Sequence, residues 1–106
     1  MVTHDGQVKL MDFGLARLLD AQTLTMTGAV LGSPAHMAPE TIEGREIDER
    51  VDIFAFGTVL YFLTVGSLPF AGRSPAAVLN AVLNGYYEAP ERANPRVGRA
   101  LARCIE

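Results

Sequence analysis

From Val51 onward the chain turns strongly apolar, and between Ile53 and Gly72 no charged side chain interrupts it. Val51, Ile53, Phe54, Phe56, Val59, Leu60, Tyr61, Phe62, Leu63 and Val65 point in every direction around a helix, the pattern of a helix enclosed by protein. Such a run also invites a membrane reading, which Pro69 decides against. A helix begun at Ile53 must end before that proline, and Gly66-Ser67 ends it sooner, leaving about 14–16 residues where a span needs about 20. The pattern thus predicts a buried core helix over 49–65 and no membrane span.

Elsewhere the periodicity is weaker. Prolines open apolar helical stretches over 39–43, 75–83 and 95–105, the last carrying Val97, Leu101, Cys104 and Ile105 at spacings of three and four. Near the start, Asp5-Gly6 is a hairpin-turn dipeptide and 8–11 is a short apolar-rich run that can form the following strand. Only Met1, Val2 and Thr3 precede the turn, so the chain is expected to begin inside a hairpin. With no glycine cap or proline stop after Ile105, it is expected to end inside a helix. Residues 18–33 read as a loop, and no internal repeat is present. The fold class expected is mainly α, with a short β-hairpin remnant at the N-terminus.

Composition narrows the function classes. With 49% hydrophobic and 20% charged residues and a formal net charge of −3, the 106 residues fit one globular piece. Nine basic residues scattered along a mildly acidic chain give no electrostatic footprint for DNA or RNA. A single cysteine, Cys104, forms no internal disulfide, and Met1 to Gly6 lack the basic and apolar regions of a signal peptide. The expected compartment is the cytoplasm.

The candidate chemistry lies in two tripeptides, Asp12-Phe13-Gly14 and Ala38-Pro39-Glu40, separated by a threonine-studded stretch. Magnesium favours hard oxygen ligands and usually takes one or two carboxylates plus substrate phosphates, so Asp12 at the end of a short strand can bridge metal and nucleotide. Gly14 permits a sharp turn behind it. Taken alone, each tripeptide fits an ordinary strand-to-turn junction or helix start.

Together and in this order, the segments resemble the activation region of serine/threonine protein kinases, in particular the bacterial receptor-like type. Residues 5–17 are similar to the hairpin and metal-binding turn, and 32–40 to the substrate-docking loop and the short helix after it. Residues 52–57 and 64–70 are similar to the start and exit of the central helix of the large lobe. The resemblance covers most of the chain. It implies a part of the large, C-terminal lobe only, divided into 1–17 (hairpin and metal-binding turn), 18–40 (activation segment) and 41–106 (helical portion).

For site residues, the resemblance implies that Asp12 holds Mg²⁺ against ATP, and that Phe13 packs under the turn and helps set active or inactive placement. Thr25 and Thr27, in a segment that also holds Thr23, match autophosphorylation positions; Arg17 matches a basic residue that contacts the phosphate. Val30, Ser33, Pro34 and Met37 would form an apolar docking pocket, favouring an apolar side chain just after the target hydroxyl. Ser33 stands where the family usually has threonine. Glu40 and Asp52 are expected to be structural: the glutamate pairs in the family with a late arginine, and the aspartate with the catalytic-loop backbone. Asp52 also fits a first-turn acid opposing the helix dipole near a cap at Asp48. His36 is expected to be a partly exposed loop residue with no acid–base role.

Parts of the enzyme are not in this sequence. A kinase needs a glycine-rich loop, a lysine paired with a helix glutamate, and a catalytic Asp and Asn upstream of Asp12. Lys9, on the same short strand as Asp12, cannot substitute. The expectation is therefore a kinase portion inactive alone, whose intact parent uses ATP and Mg²⁺ to phosphorylate Ser or Thr of protein substrates. The alternative is a non-catalytic module that binds a kinase or another protein. By itself the chain is expected to fold marginally and to associate with itself or a partner through the faces of the 51–65 helix.

Overall fold

Proline starts and glycine stops set the helix boundaries. The computed structural model describes residues 3–9 and 34–105, and among these it is mainly α. A 3₁₀ turn at Pro34–His36 leads into α1 (Pro39–Ile42), α2 (Arg50–Val65), α3 (Pro75–Leu83), α4 (Pro90–Ala93) and α5 (Arg99–Ile105). Pro39, Pro75 and Pro90 each occupy the first helical position, where a missing N–H costs nothing and φ is already helical. Ser74 caps α3, its hydroxyl accepting from the Ala77 N–H at 3.2 Å. Gly66 ends α2 with φ +89°, and its N–H donates to the Phe62 carbonyl at 2.8 Å. That is the stop expected from Gly66-Ser67.

Two expectations need correction. The helix expected over 95–105 begins only at Arg99, as α5; residues 95–97 form a turn, and a separate short helix that was not expected, α4, precedes them. Asn94 precedes Pro95 and is forced into an extended conformation, φ −138° and ψ 102°, which no helix can cross. Its carbonyl then accepts from the Val97 N–H and its side chain from the Arg96 N–H, and helical bonding restarts at the Gly98 carbonyl. At the other end, the hairpin turn is present without a strand among the described residues. Thr3 and Gln7 exchange backbone and hydroxyl bonds across the Asp5-Gly6 turn. Val8 makes only an isolated bridge, and residues 10–11 lie outside the described part.

Packing centres on α2. The 3₁₀ turn, α4 and α5 lie against it, while α3 packs on the 3₁₀ turn and α1. Ala35, Phe70, Ala81 and Val82 form the buried cluster, with Ile42, Phe54, Leu68 and Val78 packed around it. Phe70 stacks on Phe54 with centroids 5.8 Å apart and meets Tyr87 edge-on at 5.7 Å. Burying such a ring contributes about 1.5–3 kcal/mol, and each aromatic pair about 0.5–1.5 kcal/mol more. Tyr61 is buried beside Tyr87 and gives its hydroxyl proton to the Glu88 carbonyl at 2.9 Å, so its polar end is satisfied. The α2–α3 connection runs tightly over the start of α3. A Cβ on Gly72 would sit 2.7 Å from the Ala77 Cβ and 2.8 Å from the Val78 nitrogen, so only glycine fits.

The expectation of a helix enclosed on every side is met on one side only. Val51, Thr58 and Tyr61 face inward, whereas Phe56, Val59 and Leu63, flanked by Ile53 and Phe62, are exposed along the opposite face. No described helix is long and apolar enough to cross a membrane.

Candidate docking and metal site

Of the residues singled out by the sequence, Asp12, Phe13, Gly14, Arg17, Thr23, Thr25, Thr27, Val30 and Ser33 lie outside the described residues. Among the described residues no group of three or more His, Cys, Asp or Glu could hold a metal ion.

Of the expected docking loop, residues 34–37 are described and form a tight turn. Ala35 and Ala38 are buried, and between them the Met37 N–H donates to the Pro34 carbonyl at 3.3 Å. Small side chains at 35 and 38 let the backbone lie directly on α2 and α3. Pro34 and Met37, both in the expected docking set, remain half-exposed. A cavity of about 400 Å³ opens beside Pro34, walled by Leu68, Phe70, Gly72, Arg73 and Val78. The loop thus presents apolar side chains next to a cleft.

His36, expected to be an unremarkable loop residue, makes a long-range contact. Its Nδ1 lies 2.6 Å from the Thr58 hydroxyl of α2, and burial holds the imidazole below its ordinary pKa. Nothing in the spacing of a histidine and a threonine 22 residues apart signals this bond. A clue for α4 did exist: Pro90 followed by Glu91 places a proline at the first helical position and an acid in the first turn.

Glu40 and Asp52 each lie in the first turn of their own helix, where the charge opposes the helix dipole. Glu40 is half-buried and lines a larger groove of about 1020 Å³ with Arg45, Asp48, Arg50, Phe56, Tyr87 and Ile105. Among the described residues no ion pair reaches Glu40. The N-cap falls on Glu49, whose side chain makes no capping bond, and not on Asp48; the Asp48 carboxylate instead accepts from the Arg50 N–H at 2.9 Å and pairs with the Arg50 guanidinium at 2.7 Å. The Arg50 hydrogen bonds hold the Asp48 carboxyl below its usual value. Glu43 and Arg45 form a second surface pair. Both pairs are exposed and contribute little to stability.

Comparison with known proteins gives the arrangement its family. The protein kinase domain matches residues 1–99. The tyrosine-protein kinase MasK of Myxococcus xanthus is 43% identical over 104 residues, 98% of this chain and 16% of that protein. The DNA damage-responsive serine/threonine-protein kinase RqkA of Deinococcus radiodurans is 42% identical over 106 residues, 99% of this chain and 16% of its own length. The serine/threonine-protein kinase PrkC of Bacillus subtilis is 34% identical over 105 residues, again 99% of this chain and 16% of that protein. The chain thus spans about a sixth of the length of these curated relatives. It belongs to the protein kinase domain family and is homologous to bacterial serine/threonine kinases.

Proposed function

We propose that these residues are the central portion of the large lobe of a serine/threonine protein kinase, and that they supply its magnesium ligand and its substrate-docking loop. The observation that carries this is the Pro34–Met37 loop, held by buried alanines on a helix that is apolar around its whole circumference. A docking loop must be rigid in its backbone and open at its side chains, because positioning is most of what phosphoryl transfer asks of the protein.

In this reading Asp12 holds Mg²⁺, and Phe13 and Gly14 shape the turn behind it. Bound magnesium neutralises charge on the ATP phosphates. Val30, Ser33, Pro34 and Met37 receive the residue after the target hydroxyl, and their apolar character selects an apolar side chain there. Thr25 and Thr27 accept phosphate, adding about −1.5 to −2 charges each, which Arg17 helps to receive. Glu40 and Asp52 are structural. One unpaired, exposed cysteine, Cys104, suits the cytoplasm.

The exposed stripe of α2 supports a second reading, a non-catalytic module that binds another protein. Mg-ATP separates the two: the enzyme reading requires the nucleotide and the module does not. These 106 residues contain no glycine-rich loop, no ATP lysine and no catalytic base, so the test uses a complete bacterial kinase domain in which they replace their matching segment. The product should contain phosphoserine or phosphothreonine, with autophosphorylation on Thr25 and Thr27. Phosphotyrosine alone, the activity in the name of the Myxococcus relative, would overturn the hydroxyl preference. No transfer from a folded graft would favour the module.

A further inference from the structure

The docking loop is pinned to the fold by one side-chain bond that its sequence motif does not account for. The Thr58 hydroxyl owns a single proton, and it is donated to the Ala55 carbonyl at 2.6 Å, an oxygen with no proton to return. The His36 Nδ1, 2.6 Å from the same hydroxyl, must therefore be the donor. This fixes the neutral imidazole as the Nδ1–H tautomer and leaves Nε2 unprotonated. Thr58 is only 4% exposed, so water cannot readily replace the ring as its partner. No charged neighbour shifts the ring, whose lowered pKa comes from burial alone. The ring is held by donor–acceptor geometry alone. His36 also sits between the two buried anchors of the loop, Ala35 and Ala38, on the backbone that carries Pro34 and Met37.

We propose that His36 is a positioning residue for substrate docking, holding the Pro34–Met37 loop on α2 by donating its Nδ1–H to Thr58. The inference rests on the docking reading given above and adds to it a residue that contacts neither substrate nor nucleotide.

The first arm of the test is spectroscopic, on the 106-residue chain carrying His4→Gln so that one ring remains. Long-range ¹H–¹⁵N spectra at neutral pH should show a protonated Nδ1, reverting to the Nε2–H tautomer in Thr58→Val. A predominant Nε2–H ring in the parent would overturn the proposal. The second arm uses the grafted kinase domain and a serine peptide with an apolar residue after the serine. His36→Phe, which keeps the ring but removes the donor, and Thr58→Val should raise the peptide KM by between about twofold and tenfold, the worth of one hydrogen bond. The KM for Mg-ATP should not move. His36→Asn, whose amide N–H branches from the same Cγ position as Nδ1, and Thr58→Ser should restore the peptide KM; a merely structural role would give no such rescue. If Met37→Asp raises the peptide KM while His36→Phe does not, the proposal fails and the docking reading stands. If neither does, both fail.

Discussion

The uncovered face of α2 gives the most quantitative prediction. Leu63 is 70% exposed, Ile53 68%, Phe56 and Phe62 48% each, and Val59 42%. Full burial of such side chains contributes about 1.5–3 kcal/mol each. Scaled by their exposure, the five together forgo roughly 4–8 kcal/mol of burial, against a total stability of about 5–15 kcal/mol for a typical domain. A surface of that worth, continuous along one helix, is expected to drive self-association of the isolated chain. The perturbation is Phe56→Lys with Leu63→Lys, about two turns apart on the exposed face. Because neither side chain reaches the Phe70 cluster, each change should alter folding stability by no more than about 0.5 kcal/mol. Sedimentation velocity should show the parent chain as dimers or larger species that bind a dye for apolar surface. The double variant should shift to monomer with the dye signal reduced and the melting midpoint nearly unchanged. A parent chain that is monomeric, binds no dye and melts cooperatively above about 60 °C would refute the reasoning.

Two further outcomes follow from local geometry. Gly72→Ala forces a methyl group to 2.7 Å from the Ala77 Cβ and 2.9 Å from its carbonyl carbon; the overpacking should cost about 1–3 kcal/mol. Thermal unfolding checks this, and an unchanged midpoint would contradict it. His36 provides a pH dependence: burial lowers its pKa from the ordinary 6.5, so the unfolded chain binds the proton more readily. Its contribution is fully present above pH 6.5 and is lost as pH falls from there toward the folded value. His36→Phe should flatten the melting midpoint over that window. Any loss from Asp48, whose carboxyl is lowered from an ordinary 3.8 by Arg50, falls in a more acidic window.

Helix starts and stops were legible because they depend on residue type at single positions. The prolines at 39 and 75 and the glycine at 66 act through their own φ and N–H, whatever surrounds them; Pro90 acts in the same way, although no helix was expected there. The expected span 75–83 matches α3, and 49–65 matches α2 to within a residue. The 95–105 pattern overran at its start because Asn94 draws the Val97 and Arg96 N–H groups into a turn, and helical bonding begins only at the Gly98 carbonyl. Burial was harder to read. A helix apolar all round gives no sign of which face will be covered, and Leu101, on the expected apolar stripe, is exposed while Ala102 is buried. The motifs pointed to the family, whereas the His36–Thr58 bond depends on where two distant backbones meet, which no local pattern encodes.

The most direct measurement of the central claim is phosphate transfer from labelled Mg-ATP by the grafted kinase domain, comparing the parent sequence with Asp12→Ala. If these residues supply the magnesium ligand of a kinase, the parent graft is active, and loss of the carboxylate should lower the rate by at least about a hundredfold, the effect of removing one preorganised transition-state contact. The isolated 106-residue chain, run alongside, should transfer nothing. A graft whose rate is unchanged by Asp12→Ala would contradict the account.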